Sequence, residues 1–584
     1  MPKSVNLVAG QTGSLGPSIG VPPNRALLPC QGPSPGLSAL VGPVWRTSTG
    51  RMTTQISDVA AAQPGKGAPS PARWLALTVL CVSLLIVTLD TTVLNVALPT
   101  IVRDLHATTT ELQWIVDAYS MVFAGLLLVA GSLADRIGRK RVFLAGLVAF
   151  AAGSTWAAFS GSVGMLIAAR ASMGIGGAMM MPSTLSIITA MFRDAAERQR
   201  AIGLWAATTG LGIALGPIVG GLLLARFWWG SVFLINVPIA VLGVACALPL
   251  IPESKNPAAL RPDMAGALMS ITGLGLLLWS LIEAPTRGWS SPLVIGVGAG
   301  GLAVLVAFAA WERASSHPML NIRFFRRARF SGAVSSVGLV MFGLFGALFV
   351  LTQYLQFSLG YSALQAGIRV LPAAGAIAVI APFSTVLVRV IGTKLTVAAG
   401  LLVIAGGLWQ VATASTATTY TGILPGMILL GLGAGLTIPS ATESVMGSLP
   451  GGDTGVGAAT NGAFLQVGGS LGVAVIGSLL NTRYQGKMTS TLAPYHIPHA
   501  IGETILGSLG GALGVAGRVG GVLGAELGHV ARSAFVSGMD LGLATGACVA
   551  AAGCLIALIV LPFRGKANPE ARADDDTAAP DRSL

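Results

Sequence analysis

Apolar runs of about twenty residues recur from Trp74 to Phe563, and about twenty residues is the length a helix needs to cross the hydrocarbon of a bilayer. Lipid offers no water to bond a bare peptide group, so such runs must satisfy their own backbone as helices. Fourteen are read, at 75–97, 114–133, 141–160, 163–190, 201–224, 231–251, 264–283, 292–312, 331–357, 365–388, 395–414, 421–446, 455–480 and 535–562. They are numbered helices 1 to 14. Only 10% of the residues are charged, against about 25% in soluble domains. The expected fold is an all-α membrane protein, and the 78 glycines suit close helix packing in lipid.

The net charge of +13 gathers in alternate short loops. Arg136, Arg139, Lys140 and Arg141 lie between helices 2 and 3; Arg193, Arg198 and Arg200 between 4 and 5; Lys255 and Arg261 after 6. Arg313, Arg323, Arg326, Arg327 and Arg329 lie between 8 and 9, whereas the other short loops hold only Arg103, Arg226 and Arg287. The positive-inside rule then places the basic loops and both termini in the cytoplasm, and explains the charge without a nucleic-acid partner. Membrane lipid is the expected surrounding.

Residues 1–72 are rich in Gly, Pro, Ser and Ala and read as a disordered leader, with translation expected at or near Met52. Residues 73–252 are expected to form one six-helix bundle and 331–563 another, with helices 7 and 8 inserted in 253–330 and a cytoplasmic tail at 564–584. The stretch 483–532 is expected to be a long outer loop, too Gly-broken to span, with at most a weak surface helix from Ile505 to Val530.

An internal repeat supports the two bundles. Gly174, Gly176, Pro182 and Ser183 of helix 4 recur as Gly431, Gly433, Pro439 and Ser440 of helix 12. Gly212 and Gly216 of helix 5 recur as Gly468 and Gly472 of helix 13, and Gly138 and Lys140 as Gly392 and Lys394. The spacings are 254 to 257 residues. Parallel repeats with a site at their interface are a transporter architecture.

Helix 1 carries Asp90 inside an apolar run, Leu84 to Ile101. An acid at mid-membrane costs about 2.5–3.5 kcal/mol on insertion scales, so it is expected to face a partner or cavity and to handle a proton, a cation or both. Helix 4 carries Arg170. Each lies about seven residues from the outer end of its helix, so both sit roughly 10 Å deep and can pair. A purely structural charge pair is the plainer reading of Arg170. Asn95, Asp117, Gln353, Gln356, Asn461, Gln466 and Asp540 are secondary polar candidates. Asp117 and Asp540 read as interfacial residues near the outer surface, and Gln and Asn also serve simply as bonds between helices.

Two further motifs complete the pattern. Gly131, Asp135, Arg136, Gly138, Arg139 and Lys140 punctuate loop 2–3, where glycines permit a tight turn and Asp135 can cap a helix or pair with Arg139. Gly212, Gly216 and Gly220 repeat every fourth residue on helix 5, beside Pro217 and Gly221. They offer a smooth face for another helix, as a hinge, a seal or packing alone.

These stretches, with Leu89-Asp90 to Pro99 in helix 1 and Arg170 to Ala178 in helix 4, resemble the motifs of the major facilitator superfamily, and in particular its fourteen-helix drug:proton antiporter branch. The resemblance runs from about Trp74 to Phe563. It implies two six-helix bundles with two added helices, and export of lipophilic or cationic amphipathic compounds driven by a proton gradient. A dedicated exporter of one metabolite, lipid or siderophore carries the same motifs. A receptor or scaffold has no need of Asp90 or of the repeat. The sequence has no phosphate loop, no HExxH and no GxSxG, so neither ATP hydrolysis nor another enzyme reaction is expected. No cofactor is expected. The five cysteines form no CxxC pair, and neither a disulfide framework nor a metal site is read from them.

Overall fold

The computed structural model describes residues 70–192, 194–255, 262–315, 318–320, 322–449 and 454–561. The leader up to residue 69, with Met52, and the tail 564–584 lie outside the described residues, as do Arg193 and Arg261. Regular structure among the described residues is helical throughout.

Thirteen described helices are long and apolar enough to cross a membrane. One of them, Ala363–Ala412, has fifty residues. At 1.5 Å per residue that is about 75 Å, more than twice a bilayer's hydrocarbon thickness. It breaks at Gly392, whose φ of 86° no other residue type adopts cheaply. Helices 10 and 11 are its two parts, which makes fourteen candidate spans among the described residues.

Glycines that repeat in sequence make matching contacts. A Cβ at Gly174 would press on the carbonyl of Tyr119 in helix 2 (Thr109–Ile137); one at Gly431 would press on Ala373 in helix 10. A Cβ at Gly212 or Gly216 would strike Thr88 or Thr92 of helix 1, and one at Gly468 or Gly472 would strike Gly338 or Phe342 of helix 9. The entry caps repeat as well. Thr108 with Glu111 and Ser362 with Gln365 form reciprocal capping boxes at the starts of helices 2 and 10. Gly138, like Gly392, has positive φ.

Helices 7 (Met264–Arg287) and 8 (Pro292–Ala314) form a hairpin outside this repeat. Leu274, Leu278 and Ile282 of helix 7 cluster with Ala474 of helix 13, covering the seam between helices 2 and 13. Helix 8 is the least covered of the pair, with Ile295, Leu302 and Val306 more than half exposed, as expected of a face that meets lipid acyl chains.

The stretch 483–532 is not the irregular loop expected. Helix 13 (Thr454–Leu492) runs into it, helix 14 starts early at Gly521, and two short helices, His499–Gly507 and Leu509–Val519, lie between. Leu509, Ala512, Val515 and Ala516 are buried. Ser508 caps the second short helix, and Gly510 approaches Val102 of helix 1 and Phe357. Glycine disfavours an isolated helix by about 1 kcal/mol per residue. Here its lack of a side chain admits close tertiary packing, which outweighs that penalty.

The packing makes a labelling test specific. Cysteines at Arg141 and Val522, which are 75% and 83% exposed, should react with impermeant maleimide from opposite sides. A cysteine at Ala512, 0% exposed, should stay protected from both.

Candidate functional site

Asp90 and Arg170 form an ion pair in which each side chain is 1% exposed. Arg170 Nη1 donates to Asp90 Oδ2, and Arg170 Nε donates to the Ile115 carbonyl of helix 2 at 3.1 Å. The guanidinium also lies over the Tyr119 ring, 4.5 Å from its centroid. On the other carboxylate oxygen, Asn236 of helix 6 donates to Asp90 Oδ1 at 3.4 Å, and its Nδ2 also reaches Ser154 of helix 3 at 3.3 Å. Helices 1, 2, 3, 4 and 6 therefore converge on one carboxylate. Every member is needed, because a buried charge is tolerable only when paired and hydrogen-bonded.

Sequence reasoning found the two charges and missed Tyr119, Ser154 and Asn236. A lone amide at the start of the apolar helix 6 run was the only available signal for Asn236.

Asp117 requires a correction. Rather than interfacial, it is 0% exposed on helix 2, facing Ser470 of helix 13. It sits one turn from Gln113, whose Nε2 donates to the carbonyls of Val473 and Ala474 and to Ser478 on helix 13. Helix 13 covers this face of helix 2, which depth counting on helix 2 alone could not show. Asp540 is half-buried, with Oδ1 unpartnered.

The remaining candidates divide. Gln356 Nε2 donates to the Val96 carbonyl, joining helix 9's π-helical end, Tyr354–Ser358, to helix 1. Gln353 bonds only its own helix, at Phe349. Asn461 donates to Thr442 at 3.3 Å, and Gln466 is half-buried on helix 13. Asn95 Nδ2 donates to the Thr91 carbonyl while its buried Oδ1 is unpartnered.

The two bundles touch most tightly at the end opposite the basic loops. Helix 2 meets helix 13 there through Gln113 and through Asn481, which donates to Thr110. Helix 5 (Ala195–Arg226) meets helix 10 where a Cβ on Gly221 would abut Leu364 and one on Gly367 would strike the Pro217 carbonyl. Of the helix 5 motif, Gly212, Gly216 and Gly220 thus pack on helix 1, and Gly221 and Pro217 reach the other bundle.

Two cavities lie between the bundles. Toward the basic end, one of about 260 Å³ is lined by Gly131, Asp135, Pro182, Trp205, Met319 and Ala458, among others. A small apolar crevice is walled by Thr92, Asn95 and Pro217 on one side and Leu344, Thr352 and Val370 on the other. Neither Asp90 nor Arg170 lines either cavity.

Loop 2–3 is cross-braced at the basic end. Arg139 Nε donates to Asp135 at 2.7 Å and Arg139 Nη1 to the Ser186 carbonyl of helix 4 at 3.2 Å. Lys140 Nζ bonds the Leu248 carbonyl, Glu253 Oε1 accepts from the Lys140 backbone, and Arg136 is exposed. Glu253, which sequence reasoning passed over, also lies 3.6 Å from Arg141.

Two repeated helical bundles, a sealed end, cavities between them and a buried charge pair define a membrane transporter. The Major Facilitator Superfamily model matches residues 80–473, and the chain belongs to that family. It is 32% identical to the tetracenomycin C resistance and export protein of Streptomyces glaucescens, over 91% of this chain and 99% of that protein. It is 34% identical to the multidrug efflux pump LfrA of Mycolicibacterium smegmatis, over 85% and 98% of the two. Among solved structures it is similar in fold to a bacterial homologue of the human lysosomal transporter Spinster, with a TM-score of 0.58 at 16% identity, covering 84% of this chain and 98% of that one.

Removing one partner of a buried ion pair typically costs about 3–5 kcal/mol. Arg170→Met should therefore lower the thermal unfolding midpoint markedly. Adding Asp90→Asn to it should recover part of the loss, read by unfolding of the purified protein in detergent.

Proposed function

We propose that the chain is a proton-coupled exporter of lipophilic, cationic compounds across the cytoplasmic membrane, with the basic loops and both termini in the cytoplasm. The charge of the loops supports that orientation, and the relatives named as resistance, export and efflux proteins support the export of drugs.

The observation that carries the coupling is the position of Arg170. It ties Asp90 on helix 1 to the Ile115 carbonyl on helix 2, between Gln113 and Asp117. A proton arriving on Asp90 cancels the charge that holds Arg170. That loosens helix 2 at the turn that seals against helix 13. The crevice beside Asn95, about 30 Å³, is too small for a drug-sized body, so the substrate is assigned to the cavity of about 260 Å³ toward the basic end, and proton and substrate occupy separate places that communicate through helices 2 and 4. Asp117 is the second proton carrier in this scheme. It is fully buried with Ser470 of helix 13 as its polar neighbour, and it meets water only when the bundles part.

Transport by reconstituted vesicles under an imposed pH gradient tests this. Asp90→Asn should insert normally and lose proton-driven export, and Asp90→Glu should keep part of it. Normal export by Asp90→Asn at parental protein level would remove Asp90 from the coupling.

Asp117→Asn should keep the seal and the fold but carry fewer protons per substrate, seen as a smaller pH change in the vesicle lumen for the same substrate flux. An unchanged ratio would return Asp117 to a packing role.

A further inference from the structure

We propose that the basic end of helix 8 is a binding site for a phospholipid headgroup that carries a hydrogen-bond donor, with phosphatidylethanolamine as the preferred occupant. The proposal is independent of the export mechanism. A cavity of about 750 Å³ opens between the end of helix 8 and the short 3-10 helix Ile322–Arg326, with Arg313, Arg323 and Arg326 on its walls. Three guanidiniums around one recess match the planar, multidentate bonding that phosphate oxygens accept.

Glu312 stands in the same wall. It is 2% exposed; Oε2 accepts from the Leu320 backbone at 3.0 Å, and Oε1 has no hydrogen-bond partner. Oε1 crowds the space beside Gly266 together with Asp263 Oδ2, which takes a bond from Trp311 Nε1 at 2.8 Å. A buried acceptor beside a second carboxylate calls for a cationic donor. An ammonium a few bonds from a phosphate supplies one while the arginines hold the phosphate.

The source of that phosphate is read from helix 8 itself. Ile295, Leu302 and Val306 form a single exposed apolar stripe. Arg313 is seven residues beyond Val306, two turns along the same face. Trp311, 46% exposed, marks the headgroup level beside it. An acyl chain lying along the stripe delivers its phosphate to Arg313. Basic pockets between helices on the cytoplasmic side bind lipid phosphates by this logic.

The test is native mass spectrometry of the delipidated full chain offered matched phosphatidylethanolamine, phosphatidylglycerol, phosphatidylcholine or soluble phosphoethanolamine. Retention should follow that order of donor strength. Phosphatidylethanolamine should be held best, phosphatidylglycerol through its hydroxyls less well, and phosphatidylcholine, whose quaternary nitrogen has no donor, at least tenfold less. Arg313→Gln with Arg326→Gln should reduce retention of the first two about tenfold, with the lipid-free unfolding midpoint unchanged as the check on folding. Glu312→Gln should erase the preference for phosphatidylethanolamine over phosphatidylglycerol. Equal retention of phosphatidylcholine, or parental retention by the double variant, would overturn the site. Soluble phosphoethanolamine held as firmly as the lipid would overturn the assignment to lipid.

Discussion

The Asp90–Arg170 ion pair is the constraint around which the first bundle is assembled. Two charges in a medium without water must be neutralised by geometry, and here five helices supply it. Helix 1 brings the carboxylate, helix 4 the guanidinium, helix 2 a carbonyl and a ring face, helix 6 the amide that donates to the far oxygen, and helix 3 the hydroxyl that accepts from that amide. The second bundle has Met427 where the first has Arg170 and needs no such network. The two bundles share a scaffold of glycine contacts and capping boxes and differ in what they enclose. The ionic centre is thus a property of one bundle, and its influence on the other must pass through the helices that form the seam.

In the proposed coupling, that seam would carry the arrival of a proton at Asp90 to the opening between the bundles. Helix 2 is held on one side by Arg170 at Ile115 and on the other by helix 13 through Gln113. The two bonds lie two residues apart, so a change at one is felt at the other. Helix 5 completes the closure with Pro217 and Gly221, where only the missing side chains let helix 10 come so near. At the basic end the Asp135–Arg139 pair and the Glu253 brace fix loop 2–3 within the first bundle. The inserted hairpin of helices 7 and 8 lies outside the seam. The exposed face of helix 8 is left to lipid.

The apolar helices, the repeat and the two charges of the first bundle were all legible in the chain. Each depends on local quantities: length of an apolar run, spacing of glycines, and a charge within such a run. The motifs placed the family for the same reason, since loop 2–3 and helix 5 carry their chemistry in contiguous residues. The partners of Asp90 were not legible. Ser154, Asn236 and Tyr119 come from three other helices, and no periodicity within one helix says which of its faces turns toward a residue on another. Asp117 was misplaced by the same limit, because its depth was counted along helix 2 without the helix that covers it.

The stretch 483–532 shows the boundary most directly. Its glycines argued for an open loop, and as an isolated peptide it would be one. Packing of Leu509, Ala512 and Val515 beneath helix 14, with Gly510 set against helix 1, makes it helical. What the sequence by itself determined is that this chain must lie in a membrane as repeated helices with an acid in the first, because hydrophobicity and hydrogen-bond satisfaction in lipid allow nothing else. What only the tertiary structure decided is which buried polar groups meet. Burial makes every such group costly alone, and the cost is relieved by contacts that exist only once distant helices are side by side.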